Sequence, residues 1–176
     1  MNIITIDQDG DRKIIFDKPG KYLVFLNGVS GEFVFEILVP SVDLEIKGKY
    51  LGKSKEEFNV RTIQLHKAPN STSNLLIKGV FDEKSTFAYR GLVRIEKDCN
   101  GSHAYQKNQN ILLSDFAKVT SEPDLEILSP DVFCTHGSTT GGVSDDALYY
   151  MRSRGLVKED ATKLFIEGFL HDVNLS

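Results

Sequence analysis

The segment Leu44-Glu-Ile-Lys-Gly-Lys-Tyr50 recurs in similar form as Leu75-Leu-Ile-Lys-Gly-Val-Phe81, 31 residues further along the chain. A basic residue followed by glycine occurs again at Arg90-Gly91. A fixed offset of this size between short strands is typical of a solenoid and indicates coils of about three strands each. Glycines are then expected where the chain bends between sheet faces. The alternative is a β-sandwich whose strands resemble one another by chance.

Strand-like patterns surround this repeat. From Ile3 to about Phe87, apolar residues alternate with polar ones in short runs, which is typical of half-buried strands. In the segment 60–67 the alternation leads us to expect that Ile63 and Leu65 face inward. No helical periodicity occurs before residue 144, so the chain is predicted to be mainly β up to about residue 140.

After two consecutive glycines the character of the sequence changes. Ser144 is a suitable N-cap, two aspartates follow it, and Gly155 suits the position just after a helix end. A second helix is predicted from about residue 158 to residue 173. These boundaries predict a β domain at 1–140 and a C-terminal two-helix segment at 141–176.

The second predicted helix carries apolar residues on two sides. One face, expected to be buried, consists of Ala161, Leu164, Phe165, Gly168 and Phe169. A second stripe, displaced around the helix, consists of Ile166, Leu170 and Val173. Packing on one sheet would not cover both stripes. The second stripe is therefore either deeply buried or in contact with a partner protein.

Composition excludes several classes of protein. The chain has 176 residues, 40% of them hydrophobic, and a net charge of −4, which is ordinary for a globular domain and argues against a nucleic-acid partner. No apolar run has the roughly 20 residues of a membrane span, and the N-terminus lacks the pattern of a signal peptide. Two cysteines do not form a disulfide framework, so we expect a cytoplasmic protein with reduced thiols.

Cys134 and His136 form the most suggestive chemical pair. In a strand, residues two apart project to the same face, so a thiol and an imidazole would stand side by side. They could ligate one metal, or the imidazole could activate the thiol. Two ligands are too few for a stable site, and His103, Glu126 or another subunit would have to complete it. The alternative is a core thiol beside a surface histidine.

An enzymatic role has weaker support. The sequence contains no nucleophile elbow, Walker loop, dinucleotide fingerprint or His-Glu-x-x-His motif. A β-helix carbohydrate-active or metal-dependent enzyme would use His136 as acid or base with Glu126 or Asp131 as its partner. The absence of tryptophan weakens this hypothesis, so a non-enzymatic protein is expected.

The last two thirds of the chain contain several motifs in order. They are Asn110-Ile-Leu-Leu-Ser-Asp115, Glu122-Pro-Asp-Leu-Glu-Ile127, Asp131-Val-Phe-Cys-Thr-His-Gly137 and Leu148-Tyr-Tyr-Met-Arg-Ser-Arg-Gly155. With His66-Lys-Ala-Pro69 and Tyr89-Arg-Gly91 upstream, this set resembles the SufB/SufD family of iron–sulfur cluster assembly components. Cys-Thr-His-Gly is nearer to the SufD type than to the SufB type.

The resemblance implies a right-handed parallel β-helix followed by helices that dock a SufC-type ABC ATPase. The residues expected to contact that ATPase are Leu148, Met151, Arg152, Ile166, Phe169, Leu170 and Val173. It also implies pairing with a SufB-type paralogue, or a homodimer, through the end of the β-helix. No tightly bound cofactor is expected, but a transient iron–sulfur cluster could lie at that interface beside His136 and Cys134.

Two departures from the family pattern are evident. Family members are more than twice as long and carry an N-terminal helical region, so a minimal-length version or a fragment is expected. The cysteine that accepts the cluster in SufB-type chains has no match here. A structural homologue that binds the ATPase without handling iron or sulfur is therefore the main alternative.

Overall fold

A computed structural model describes residues 2–174. It contains strands β1 (Asn2–Ile6), β2 (Arg12–Phe16), β3 (Gly20–Asn27), β4 (Gly31–Ile37), β5 (Val42–Gly52), β6 (Glu57–His66), β7 (Thr72–Phe81), β8 (Thr86–Ile95), β9 (Ser102–Leu112), β10 (Lys118–Ile127) and β11 (Val132–Gly141). Helices α1 (Asp145–Ser153) and α2 (Lys158–Leu170) follow, and a 3-10 turn spans His171–Val173.

The strands form a parallel β-solenoid, as the repeat predicted. The odd-numbered strands build one sheet and the even-numbered strands build the other, each in sequence order and with parallel pairing. The chain therefore passes from one sheet to the other at every connection. The β-sandwich alternative is wrong, and so is the expectation of three strands per coil. Each coil has two strands, because the central strands are 10 or 11 residues long rather than short.

The register differs from the sequence repeat by two residues. Leu44 pairs with Ser73, 29 residues later, rather than with Leu75. Because side chains alternate with a period of two, this shift keeps both leucines on the same side of the sheet. The repeat therefore predicted the correct face and the approximate coil length, but not the strand pairing.

Residues with left-handed backbone conformation stack at one corner of the solenoid. Ser41, Asn70 and Gly101 have φ values of +62°, +52° and +71°. The Ser41 N–H donates to the Asn70 carbonyl at 2.9 Å, and the Asn70 N–H donates to the Asn100 carbonyl at 3.0 Å. Glycine and small polar residues tolerate this conformation best, so successive coils turn at the same place.

The repeated glycines do not lie at bends, and that prediction is wrong. Gly48 and Gly79 lie within β5 and β7 and face the interior. A Cβ atom at Gly48 would lie 2.8 Å from Ile77 Cγ1 and 3.2 Å from the ring of Tyr50, and one at Gly79 would collide with the ring of Phe81. These glycines therefore make room for large interior side chains.

The interior contains both aromatic and polar side chains. The middle coils enclose a cluster of rings that includes stacked Phe81 and Phe87, with centroids 5.0 Å apart. Other inward side chains of the same coils are polar: β6 directs Val60, Thr62, Gln64 and His66 inward, and each is at most 3% exposed. Ile63 and Leu65 face outward and are half-buried, so the prediction that they face inward is wrong. Sequence alternation identified two faces of β6 but not which one is the core.

The helices follow the predicted boundaries closely. Ser144 Oγ accepts a hydrogen bond from the Ala147 N–H at 3.3 Å, and Gly155 ends the first helix with φ +96°. The second helix begins at Lys158 as expected but ends at Leu170, and the remaining predicted turn is the 3-10 turn. α1 packs on α2, and α2 packs on β7.

None of the helices within residues 2–174 is long and apolar enough to cross a lipid bilayer.

Candidate functional site

The last coil leaves the solenoid open at one end. Strands β10 and β11 are the outermost strands of their sheets, and each pairs with only one neighbour in the described part of the chain. Their outer N–H and C=O groups are therefore unpaired there, which is the feature that allows another strand to add to a sheet. Leu125 and Ile127, in register with the buried Val93 and Ile95, are 37% and 42% exposed.

The two predicted ligand residues lie on this outermost strand. Cys134 and His136 belong to β11 and are in register with Ala104 and Gln106 of β9. Both therefore project to the interior side of the sheet, as their spacing predicted. Cys134 is half-buried and packs against the cluster of Val93, Ile95, Cys99 and Ala104, whereas His136 is exposed.

The environment of Cys134 favours the neutral thiol. Burial raises the pKa of this thiol above its usual value. Burial likewise raises the pKa of Cys99, which donates to the His66 carbonyl at 3.5 Å. A thiolate ligand or nucleophile normally needs a nearby positive charge or a metal, whereas burial among the described residues favours the protonated form of Cys134.

The other proposed ligands do not reach this pair. His103 lies on the outer face of its sheet, with its ring centroid 6.0 Å from that of Phe133. Glu126 also faces outward, where its carboxylate lies 3.5 Å from the Arg94 guanidinium. Within residues 2–174 no group of three or more His, Cys, Asp or Glu side chains could hold a metal ion. A complete site would therefore require ligands from outside the described chain.

The same geometry bears on the alternative of a carbohydrate-active enzyme. His136 projects to the interior side of β11, while Glu126 projects to the outer side of β10. Asp131 precedes β11 and is exposed, and its carbonyl accepts a hydrogen bond from the Gly101 N–H at 2.7 Å. The His136–Glu126 pair is therefore not assembled.

The residues predicted to contact an ATPase fall into three groups. Leu170 and Val173 are 5% and 0% exposed, in a cluster with Val80 and Ile111 on the outer face of the sheet. Leu148, Met151, Ile166 and Phe169 are half-buried, and Arg152 is exposed. Of the two explanations left open for the second stripe, burial within the chain is the one found for Leu170 and Val173.

A buried lysine attaches the C-terminal segment to the solenoid. Lys78 projects from β7 and is 6% exposed. Its Nζ donates to the Phe169 carbonyl and to Asp172 Oδ2, each at 2.7 Å, and lies 5.0 Å from the centroid of the Phe169 ring. The hydrogen bond from Lys78 lowers the pKa of the Asp172 carboxyl group. The end of α2 is thus held by an ion pair as well as by apolar contacts.

Several exposed apolar residues were not foreseen as a surface. Tyr149 and Tyr150 of α1, Val157 between the helices and Leu164 of α2 are all more than half exposed. Leu164 was expected on the buried face of α2, and that prediction is wrong because α1 and the solenoid cover the neighbouring sides of the helix. Consecutive tyrosines at a solvent-facing position were the available signal for this surface.

Comparison with known proteins supports the resemblance seen in the motifs. The profile of the family described as "SUF system FeS cluster assembly, SufBD core domain" matches residues 32–169. The iron–sulfur cluster assembly protein SufD of Escherichia coli is 30% identical over 126 residues, which are 72% of this chain and 30% of that protein. A SufBD family protein of Synechocystis is 33% identical over 105 residues, 60% of this chain and 23% of the relative.

A SufBD family protein of Mycobacterium leprae is 29% identical over 142 residues, 76% of this chain and 36% of the relative. The chain therefore spans about a third or less of the length of the relatives it matches. The matched region includes nearly all of β4, the whole of β5 to β11, α1 and most of α2. The protein belongs to the SufBD family of the SUF system of iron–sulfur cluster assembly.

Proposed function

We propose that this protein is a SufD-like scaffold subunit of a cytoplasmic iron–sulfur cluster assembly system. In this role it binds a SufC-type ABC ATPase through α1 and α2 and pairs with a second SufB/SufD-type solenoid through its open end. It carries out no chemistry on a small substrate. Family membership is the observation that carries the proposal. The solenoid end and the helix surface are the parts of the structure that support each contact.

The helix surface supports the ATPase contact through its unpartnered apolar side chains. Tyr149, Tyr150 and Leu164 are exposed by 77%, 61% and 51%, and Arg152 is also exposed. Large aromatic and arginine side chains are the residues that most often dominate binding at interfaces. Further contact area comes from the half-buried side chains of Leu148, Met151, Ile166 and Phe169. The buried Leu170 and Val173 act by holding α2 on the solenoid.

The open end supports the solenoid–solenoid contact. β10 and β11 present free strand edges, with the apolar Leu125 and Ile127 between the two sheets. A second solenoid, either a SufB-type paralogue or another copy of this chain, would pair these edges and cover that apolar surface. His136 would then lie at the interface, where a cluster could be held transiently with ligands from both chains.

Size-exclusion chromatography with light scattering tests the ATPase contact. The protein is mixed with the SufC-type ATPase of the same organism, and a stable complex is expected. Leu164→Asp should abolish it, because a carboxylate would be placed in an apolar contact. Ile15→Asp, at a position of similar exposure (49%) on β2 of the solenoid, is the matched control and should bind normally. Equal binding by both variants would refute docking through the helices.

A second candidate function is binding of the ATPase without handling iron or sulfur. It is favoured by the raised pKa of Cys134 and by the lack of a third ligand near His136 in residues 2–174. Anaerobic cluster reconstitution on the complete complex distinguishes the two candidates. If His136→Ala lowers the amount of cluster bound, the scaffold role holds. Unchanged cluster content in His136→Ala and Cys134→Ser would favour the structural role.

A further inference from the structure

Gln106 is a buried side chain without hydrogen bonds to the protein. It projects inward from β9, is 0% exposed, and neither its Nε2 nor its Oε1 has a partner among the described residues. Buried amides in native proteins are nearly always hydrogen-bonded, and leaving one unpaired destabilises the folded state. Its position in the interior of the solenoid therefore requires an explanation.

The side-chain amide of Gln106 lies against Gly91 and Tyr89 of the opposite sheet. A Cβ atom at Gly91 of β8 would collide with Gln106 Nε2 and would lie 2.5 Å from Tyr89 Oη, so the absence of a side chain at this position admits both groups. The Tyr89 hydroxyl is fixed by a 2.8 Å hydrogen bond to Thr62. The polar end of Gln106 is thus directed at a second polar group on the opposite sheet.

Two other inward side chains also have a buried polar atom without a hydrogen-bond partner among residues 2–174. Ser121 Oγ of β10, in register with Tyr89, is buried and unpartnered. Gln64 donates to Ser73 Oγ at 2.7 Å and reaches the carbonyl of Tyr105, the residue before Gln106, at 3.4 Å. Its Oε1 also has no partner within residues 2–174. Ser121, Gln64 and Gln106 all project into the interior, from β10, β6 and β9.

The unpartnered atoms identify the chemistry of the ligand. They comprise an amide donor, two amide acceptors and a hydroxyl group that can do both. No charged side chain belongs to this group, so neither a metal ion nor an anion would find a counter-charge. A small neutral molecule that both donates and accepts hydrogen bonds fits, and water is the smallest.

We propose that the interior between β6, β8, β9 and β10 is a binding site for ordered water, with the Gln106 amide as its central ligand. Ser121 Oγ and Gln64 Oε1 provide further hydrogen bonds. Gln106 is in register with His136 of the outermost strand. The bound water therefore lies one strand inside the open end. The inference does not depend on the proposed function.

Water contacts measured by NMR on the unmodified protein test this directly. Cross-relaxation between water and the Gln106 side-chain NH2 protons, of the sign and size of a long-lived contact, is expected. Its absence, with the NH2 resonances assigned, would overturn the proposal. A high-resolution crystal structure would also decide. A solvent peak in contact with the Gln106 amide supports the proposal, and a direct hydrogen bond from the amide to Tyr89 overturns it.

Thermal unfolding of Gln106→Leu is an independent test. If water satisfies the amide, leucine removes its hydrogen bonds and the melting temperature falls. If the amide is dry and unpaired, an apolar side chain of similar size raises the melting temperature. Gln109→Leu, on the outer face of the same strand, is the control and should change the melting temperature little. Should Gln106→Leu fail to fold, the NMR contact in the unmodified protein decides.

Discussion

Lys78 and His66 are both buried polar side chains, but their partners stabilise them in different ways. The Lys78 ammonium group donates hydrogen bonds to Asp172 and to the Phe169 carbonyl. His66 lies between Ser71 and Ser73, with Nδ1 2.8 Å and Nε2 2.7 Å from their hydroxyl oxygens. Burial lowers the pKa of His66 to about 4, so the imidazole is neutral at physiological pH.

We predict that Asp172→Asn destabilises the attachment of α2 more than Lys78→Met does. Removing the carboxylate leaves a buried ammonium group without its counter-charge, whereas methionine replaces the charge with an apolar side chain of similar length. Each change should cost on the order of 1–3 kcal/mol, with Asp172→Asn at the upper end. Hydrogen exchange of the α2 amides measures the difference. Lys49→Met, which removes an exposed hydrogen bond to Asn174, is the control with a half-buried lysine.

For His66 we predict a loss of stability in acid. Its pKa is lowered from 6.5 to about 4 in the folded protein, so the unfolded chain takes up the proton first as pH falls. The contribution of the neutral His66 to the free energy of unfolding is complete above pH 6.5 and is lost as pH falls from there towards pH 4. The loss amounts to roughly 3 kcal/mol at most. Urea unfolding between pH 7.5 and pH 4 should be flatter for His66→Gln than for the parent. An equally steep curve for His66→Gln would show that His66 does not titrate in this way.

At the scale of single elements, local signals predicted the helices better than the faces of strands. Ser144 and Gly155 act through their own backbone neighbours, so the boundaries of α1 were readable from sequence. The face of β6 was not readable, because its inward Thr62, Gln64 and His66 are compensated by hydrogen-bond partners outside β6. A pattern of apolar residues cannot reveal an interior that is stabilised by hydrogen bonds.

Truncation of the two leucines of α2 should affect different properties of the protein. Leu170→Ala removes a side chain from the cluster with Val80 and Ile111 and should cost about 2–4 kcal/mol of α2 attachment, seen as faster hydrogen exchange in both helices. Leu164→Ala should change exchange little, because Leu164 is half exposed. Its effect is expected instead on ATPase affinity. Equal effects on exchange would contradict the observed packing of the helix.

At the scale of the whole molecule, the two parts of the interior differ in kind. The middle coils are closed by aromatic packing of Tyr50, Phe81 and Phe87, while the last coil is open and leaves inward side chains such as Leu125 and Ile127 partly exposed. The solenoid and the family were predictable from a repeat and from ordered motifs. The Cys134–His136 face was predictable from spacing alone. It was not predictable that His103 and Glu126 lie on the outer faces and cannot join this pair. Which face of a strand turns inward depends on its neighbours in the sheet.

Hydrogen exchange in the native protein should therefore follow the solenoid axis. Amides of β5, β6 and β7 are expected to exchange most slowly, because each strand is paired on both sides around the aromatic cluster. Amides of β10 and β11 should exchange fastest among the long strands. Addition of a pairing solenoid should slow β10 and β11 selectively. Uniform protection in the isolated chain would contradict this gradient.

The stacked corner at Ser41, Asn70 and Gly101 limits how the gene can change in length. A single inserted codon would move one corner out of the stack and turn the following inward side chains outward. Duplication or deletion of one complete coil, such as the 29 residues that separate Gly31 from Val60, would keep every corner and every face in place. Growth and shortening of such a protein are therefore tolerated in coil-sized genetic steps.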